Sequence, residues 1–255
     1  MLVYSTSTFA AEPAAPNPPE EVLGPWLDLR SPGFAVGPTQ TVQKQNPDGT
    51  VAPWYGSLEN GRLLPKSGEG FVRANSPDTS WGSGLMISLL ENATKYYVDT
   101  FQSPVPVYIG SIAQEHGGPY GPHKSHQNGL DADIYFIGQT KYESVLDANG
   151  QITAKFNPQK NWDFWKLLVQ QQILVKDKPT TVVYMIFIAP VLKDSLCQWA
   201  KAQNLLANPL DAEVMRRLRR TAGHDTHFHL RLKCSPYHPD CYQQNEIQAG
   251  PGCDE

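Results

Sequence analysis

All seven histidines of the chain fall in two short windows, His116, His123 and His126 in one and His224, His227, His229 and His238 in the other. In the second window His227-Phe228-His229-Leu230-Arg231-Leu232 alternates strictly. As a strand it sets His227, His229 and Arg231 on one face and Phe228, Leu230 and Leu232 on the other, so two imidazoles enter the same space. In the first window Asp131 and Asp133 share the polar face of a second expected strand, with His126 at its loop entrance. Imidazole nitrogen and carboxylate oxygen are zinc ligands at ~2.0 to 2.2 Å, and a catalytic site takes three of them and leaves a fourth position for water. Such an ion lowers the pKa of water from about 15.7 to ~7, which makes a nucleophile at neutral pH without an activated serine or cysteine. A single histidine on a polar strand face is ordinarily just solvated; the clustering is what favours a metal site. Spacing alone leaves Asp131 and Asp133 equivalent. No His-Glu-x-x-His occurs, so a helical glutamate base is not available.

These side chains need a sheet to hold them. A helix is expected from about Met86 to Phe101, where Met86, Leu90, Ala93, Tyr97 and Phe101 recur at helical spacing. Strands are expected at Val105 to Ile112 and Gly129 to Ile137, separated by the turn-rich Gly117-Gly118-Pro119-Tyr120-Gly121-Pro122. Asn161 reads as the cap of a helix running to about Val175, and Thr180 to Ala189 is the strongest strand signal. Short helices over Leu192 to Gln203 and Asp211 to Thr221 precede a last strand, His227 to Lys233. The expected fold is α+β, a small central, largely antiparallel β-sheet flanked by helices, with the zinc site on the sheet. Trp162 and Trp165, at i and i+3 with Val169 following, read as core packing, and the run Met215-Arg216-Arg217-Leu218-Arg219-Arg220 as a solvated helix face.

At 255 residues and 28.3 kDa the chain is near the ceiling for one hydrophobic core. Nine of its 22 prolines lie in the first 53 residues, with Pro13, Pro16, Pro18 and Pro19 clustered. Residues 1–53 are therefore expected to form a flexible arm and residues 54–255 the catalytic domain, with packing beginning near Trp54. The opening residues end in small side chains like a cleavage site but lack a basic start, as a signal-peptide remnant or a plain leader would. A formal charge of −4 gives no general reason to bind nucleic acid, and no apolar stretch approaches the ~18 residues of a membrane span. The four cysteines, Cys197, Cys234, Cys241 and Cys253, contain no C-x-x-C pair. They favour two disulfides and an oxidising compartment over a zinc knuckle built on Cys234, His238 and Cys241, with three connectivities open.

The pattern His126-x-x-Gly129-x-x-x-Asp133 followed by His227-x-His229 resembles the lysostaphin, D-Ala-D-Ala peptidase and hedgehog-like metallopeptidases. The longer segments, Ser125 to Ile134 and His224-x-x-His227-x-His229-Leu230-Arg231-Leu232-x-Cys234, are similar to the penicillin-insensitive murein endopeptidases, with gaps, from about Tyr55-Gly56-Ser57 to Cys253. The resemblance implies one Zn²⁺ per chain held by His126, Asp133 and His229, which separates Asp133 from Asp131. It implies His227 as general base or transition-state stabiliser, His224 as an assisting histidine and His123 as a residue lining the site. Asp131 is then expected to orient a ligand or a loop rather than bind the ion. His116 and His238 match no motif and read as surface residues or outer neighbours of the site. The same resemblance implies the pairs Cys197 to Cys253 and Cys234 to Cys241; a further disulfide of the family is absent, Arg62 standing about where a cysteine is expected. The implied activity is hydrolysis of D-alanyl to meso-diaminopimelyl cross-links of peptidoglycan, insensitive to penicillin, in the periplasm or otherwise outside the cytoplasm. The alternatives are a D,D-carboxypeptidase or dipeptidase on the same scaffold, or a non-catalytic zinc-bearing binding protein.

Overall fold

The computed structural model describes residues 33–175, 178–238, 240–242 and 245–253. The proline cluster at 13–19 and the leader lie outside them. In chain order the strands are β1 (Phe34–Val36), β2 (Val42–Gln45), β3 (Val51–Trp54), β4 (Ser57–Glu59), β5 (Arg62–Leu63), β6 (Ser67–Gly68), β7 (Phe71–Arg73) and β8 (Trp81–Gly82). Helix α1 (Gly84–Phe101) leads to β9 (Val107–Ile109) and β10 (Asp131–Tyr135), then α2 (Pro158–Gln170), β11 (Gln172–Val175), β12 (Lys178–Thr181) and β13 (Val183–Ile188). Helices α3 (Pro190–Ala202) and α4 (Pro209–Arg217) precede β14 (Leu218–Arg220) and β15 (His227–Leu232).

Seven strands form the central sheet in the order β14-β13-β15-β10-β9-β7-β6. Only β13–β14 and β7–β9 run parallel. The fold is α+β with a mixed, largely antiparallel sheet and four two-stranded satellites among the described residues. The alternation of β10 and β15 divides its two faces. Ala132, Ile134, Phe228, Leu230 and Leu232 are fully buried against a core that includes Trp162, Phe164 and Trp165 of α2, the packing role expected of both tryptophans. The opposite face carries Asp131, Asp133, His227, His229 and Arg231. Register pairs Asp131 with Arg231, Asp133 with His229 and Tyr135 with His227, so a one-residue slip would turn the whole polar set into the core.

Several expected boundaries shift, each for a local reason. Helix α2 starts at Pro158, not at Asn161: the side chain of Asn157 accepts from Lys160 N at 2.9 Å, and Pro158 occupies the first turn, where its missing N–H costs nothing. Asn161 is buried inside the helix and accepts from Ile137 N at 3.0 Å. The helix ends at Gln170, and Gln172–Val175 pairs with Lys178–Thr181 as a hairpin. The expected long strand is thus two, β12 and β13.

The arginine run is not a solvated helix face. Arg217 is 1% exposed and bonds Glu213 and the carbonyl of Val183, while Arg220 bonds Asp194 and the carbonyls of Gly252 and Cys253. Packing also begins upstream of Trp54, since β1 pairs with β4 and Ala35 is fully buried in the core. Cys197–Cys253 and Cys234–Cys241 are the two disulfides. Arg62, in place of an expected cysteine, ties its strand to α1 through Ser88 Oγ at 3.2 Å and Glu91 at 3.5 Å.

Candidate metal centre

Strand β10 presents Asp133 at the centre of a ring of imidazoles. Its Oδ1 lies 3.2 Å from His126 Nε2, 3.2 Å from His227 Nε2 and 3.1 Å from His229 Nδ1. His123 Nδ1 stands 3.9 Å from Oδ2. His126, Asp133, His227 and His229 are all buried, and His123 is partly open. They line a cleft of about 510 Å³ with His224, Tyr142 and Phe187.

The opposite ring nitrogen of each inner imidazole is already engaged. His126 Nδ1 faces the carbonyl oxygen of Ile112 at 2.8 Å, which can only accept, so Nδ1 donates and in the neutral ring Nε2 carries the lone pair. His229 Nε2 meets Asp131 Oδ1 at 2.8 Å, and a carboxylate can only accept, so Nδ1 is the free nitrogen. His126 itself has φ of +66°, in the left-handed region that non-glycine residues rarely occupy. The chain is held there by its own N–H, which donates to Asp131 Oδ2 at 3.1 Å, and by Gly129, whose φ of +74° brings the backbone against Ser83 N too closely for a Cβ. Backbone strain kept by a surrounding network is common where geometry serves function.

Asp131 is thus the hub behind the cluster. It takes the His126 amide, the His229 ring and Arg231 Nε at 2.6 Å. Burial works to raise its pKa, but Arg231 and His229 outweigh burial and keep it ionised. Burial acts on Asp133 in the same way, and the facing imidazoles hold its carboxyl well below the usual range. Between these two carboxylates His229 resists the lowering effect of burial, and its pKa is raised. Positive charge is therefore favoured at the space between His229 Nδ1 and Asp133, which a proton or a cation can supply.

The donor set fits a metal ion. His126 Nε2 and Asp133 Oδ1 are buried without a hydrogen-bond partner, which is costly unless something else occupies the point they face. His123, His126 and Asp133 offer ligand atoms within 4.8 Å of one another; His229 Nδ1 lies 3.1 Å from Asp133 Oδ1, closer to that carboxylate than His123, which stands 3.9 Å from Oδ2. His224 sits at the rim, its ring 5.3 Å from that of His227, and burial drives its pKa down to about 4. His116 is exposed. His238 is buried edge-on to Phe34 at 6.2 Å, so it is neither a surface residue nor part of the cleft lining.

Three contributors had no clear sequence signal. Thr226 Oγ1 lies 2.8 Å from His227 Nδ1, the Ile112 carbonyl orients His126, and Tyr142 stacks on His227. Thr226 alone carries a local cue, a hydroxyl next in sequence to His227.

An open cleft lined by clustered imidazoles and a carboxylate is a site able to move protons or hold a metal ion, as hydrolases do, and every described cysteine is locked in a disulfide. The family is given by sequence. The model of the penicillin-insensitive murein endopeptidase family matches residues 52–255, and the chain belongs to that family of peptidases. The chain is 30% identical over 229 residues to the penicillin-insensitive murein endopeptidase of Haemophilus influenzae, covering 84% of this chain and 75% of that protein. It is 26% identical over 231 residues to the protein of the same name from Klebsiella pneumoniae, covering 86% and 80%. The Escherichia coli K12 protein of that name matches at 29% over 154 residues, 58% of this chain and 52% of that protein.

Proposed function

We propose that this peptidase is a zinc enzyme that hydrolyses D-alanyl to meso-diaminopimelyl cross-links of peptidoglycan in the periplasm or elsewhere outside the cytoplasm. The observation that carries the metal reading is the pair of buried, unpartnered donors, His126 Nε2 and Asp133 Oδ1, beside His229 Nδ1. These three residues would hold the ion. A bound zinc ion supplies Lewis acidity, which polarises a carbonyl and makes water nucleophilic near neutral pH. Asp131 fixes the His229 ring, and Ile112 fixes that of His126.

His227 faces the cleft with Nε2 beside Asp133, its Nδ1 oriented by Thr226. From there it takes a proton from the attacking water and returns it to the leaving amine. His224, neutral at pH 7 because burial depresses its pKa to about 4, borders His227 as an uncharged neighbour rather than a competing cation. No acyl-enzyme on serine is involved, so penicillin has nothing to acylate. The two disulfides support an oxidising compartment, and among the described residues no helix is long and apolar enough to cross a membrane.

The test is to incubate the purified protein with cross-linked muropeptide dimers in the presence of penicillin and weigh the products. Conversion of dimers to monomers is expected. Release of free D-alanine alone would favour the carboxypeptidase reading, and dimers left intact by a zinc-loaded protein would overturn the function.

A further inference from the structure

Tyr142 is 59% exposed and, among the described residues, is the only strongly exposed large hydrophobic side chain that lines the cleft. An open ring is usually free to move, but this one is held. It stacks on His227 with centroids 5.4 Å apart and planes at 29°. It also leans on Tyr135 at 5.6 Å, which in turn stacks on Tyr108 at 6.1 Å. Its loop is fastened on the far side: Val145 N donates to Asp225 O at 2.8 Å, two residues before His227, Thr153 N donates to Val145 O at 2.8 Å, and Lys155 pairs with Glu143 at 2.9 Å. The fold therefore keeps an apolar ring face directed at the cleft and fixed relative to the imidazole that handles the proton.

Its place on His227 decides which part of a substrate it meets. The proton taken up by His227 must reach the leaving nitrogen, so the residue carrying that nitrogen lies beside the imidazole and next to Tyr142. We infer that Tyr142 is a specificity-determining residue whose open ring packs against the aliphatic chain of the leaving, amine-side residue. This inference rests on the endopeptidase reading above. A diaminopimelyl leaving group offers a methylene chain to that ring, whereas a D-alanyl leaving group offers one methyl. Tyr142 would thus favour cross-link cleavage over removal of a terminal D-alanine, since single methylene contacts separate substrates by about tenfold or more.

The experiment compares kcat/KM of the zinc-loaded enzyme on D-alanyl-meso-diaminopimelyl dimers and on D-alanyl-D-alanine-terminated monomers, for wild type, Tyr142→Phe and Tyr142→Ala. The wild type and Tyr142→Phe should prefer the dimer to the same extent, because the ring rather than the hydroxyl makes the contact. Tyr142→Ala should lower the dimer-to-monomer ratio at least about tenfold, through a higher KM for the dimer, with an unchanged thermal midpoint. A ratio unmoved in Tyr142→Ala, whether both substrates slow equally or neither slows, overturns the inference while leaving the endopeptidase reading intact. Dimers uncut by the wild type would instead remove that reading, and this inference with it.

Discussion

His229 and Asp131 share a hydrogen bond of 2.8 Å that leaves the other nitrogen of His229 facing Asp133 at 3.1 Å. One buried carboxylate thereby sets the tautomer of an imidazole that the second carboxylate needs as a partner. Asp131 in turn depends on Arg231, whose Nε lies 2.6 Å away. Asp131→Asn should weaken zinc binding by roughly 10- to 100-fold, the usual effect of losing an outer carboxylate. Competition against a chromogenic chelator reads this directly; unchanged affinity would mean that His229 is oriented by something else.

His227 and the metal ligands should separate cleanly. His227→Ala is expected to keep full zinc content and lose cleavage by about 10²- to 10⁴-fold, the range for a general acid–base group. Zinc analysis and muropeptide kinetics on one preparation give both numbers. If zinc content and cleavage were both unchanged, the proton-handling role would have to be abandoned.

His123 and His229 both approach Asp133, at 3.9 Å and 3.1 Å. The proposed ligand position belongs to His229, on the grounds of its closer approach and its engaged far nitrogen. His229→Ala should abolish stoichiometric zinc, whereas His123→Ala should retain it and change only substrate turnover. The opposite pattern of metal contents would move the site outward to His123, His126 and Asp133.

Much of this site was legible because it lies on period-two strands. Once His227 to Leu232 is a strand, His227 and His229 must share a face, and the same holds for Asp131 and Asp133. Alternation did not show which carboxylate faces the cluster, because both obey it; only the family resemblance separated Asp133 from Asp131. That choice depends on Arg231 and the His126 amide arriving at Asp131 from elsewhere in the fold. Tyr142 was invisible for a similar reason: its loop is placed by Asp225, far along the chain. Among the helices, the propensity signal at Asn161 misled because Asn157 followed by Pro158 is the better start. The arginine run misled because charge patterning carries no record of the buried carbonyl of Val183 that Arg217 satisfies.

Asp163 gives the fold a pH dependence away from the site. Burial raises its pKa to about 6, opposed by Gln159 and Lys166. The folded chain keeps this proton up to about pH 6 while the unfolded chain releases it near the ordinary value of 3.8, so folding takes up a proton between those limits. Stability should fall as pH rises through that window and stay lower above it. Asp163→Asn should remove the decline and stabilise the protein at pH 7 by on the order of 1 to 3 kcal/mol. Denaturant melts at pH 4 and pH 7 test this; a variant no more stable than wild type at pH 7 would contradict it.

The most direct test of the central claim is a crystal structure of the zinc-loaded protein with anomalous data at the zinc edge. One peak is expected, ~2.0 to 2.2 Å from His126 Nε2, Asp133 Oδ1 and His229 Nδ1, with His227 outside bonding distance. A peak bound through another set of residues, or no peak in the cleft of a protein that still cleaves muropeptide dimers, would contradict the account.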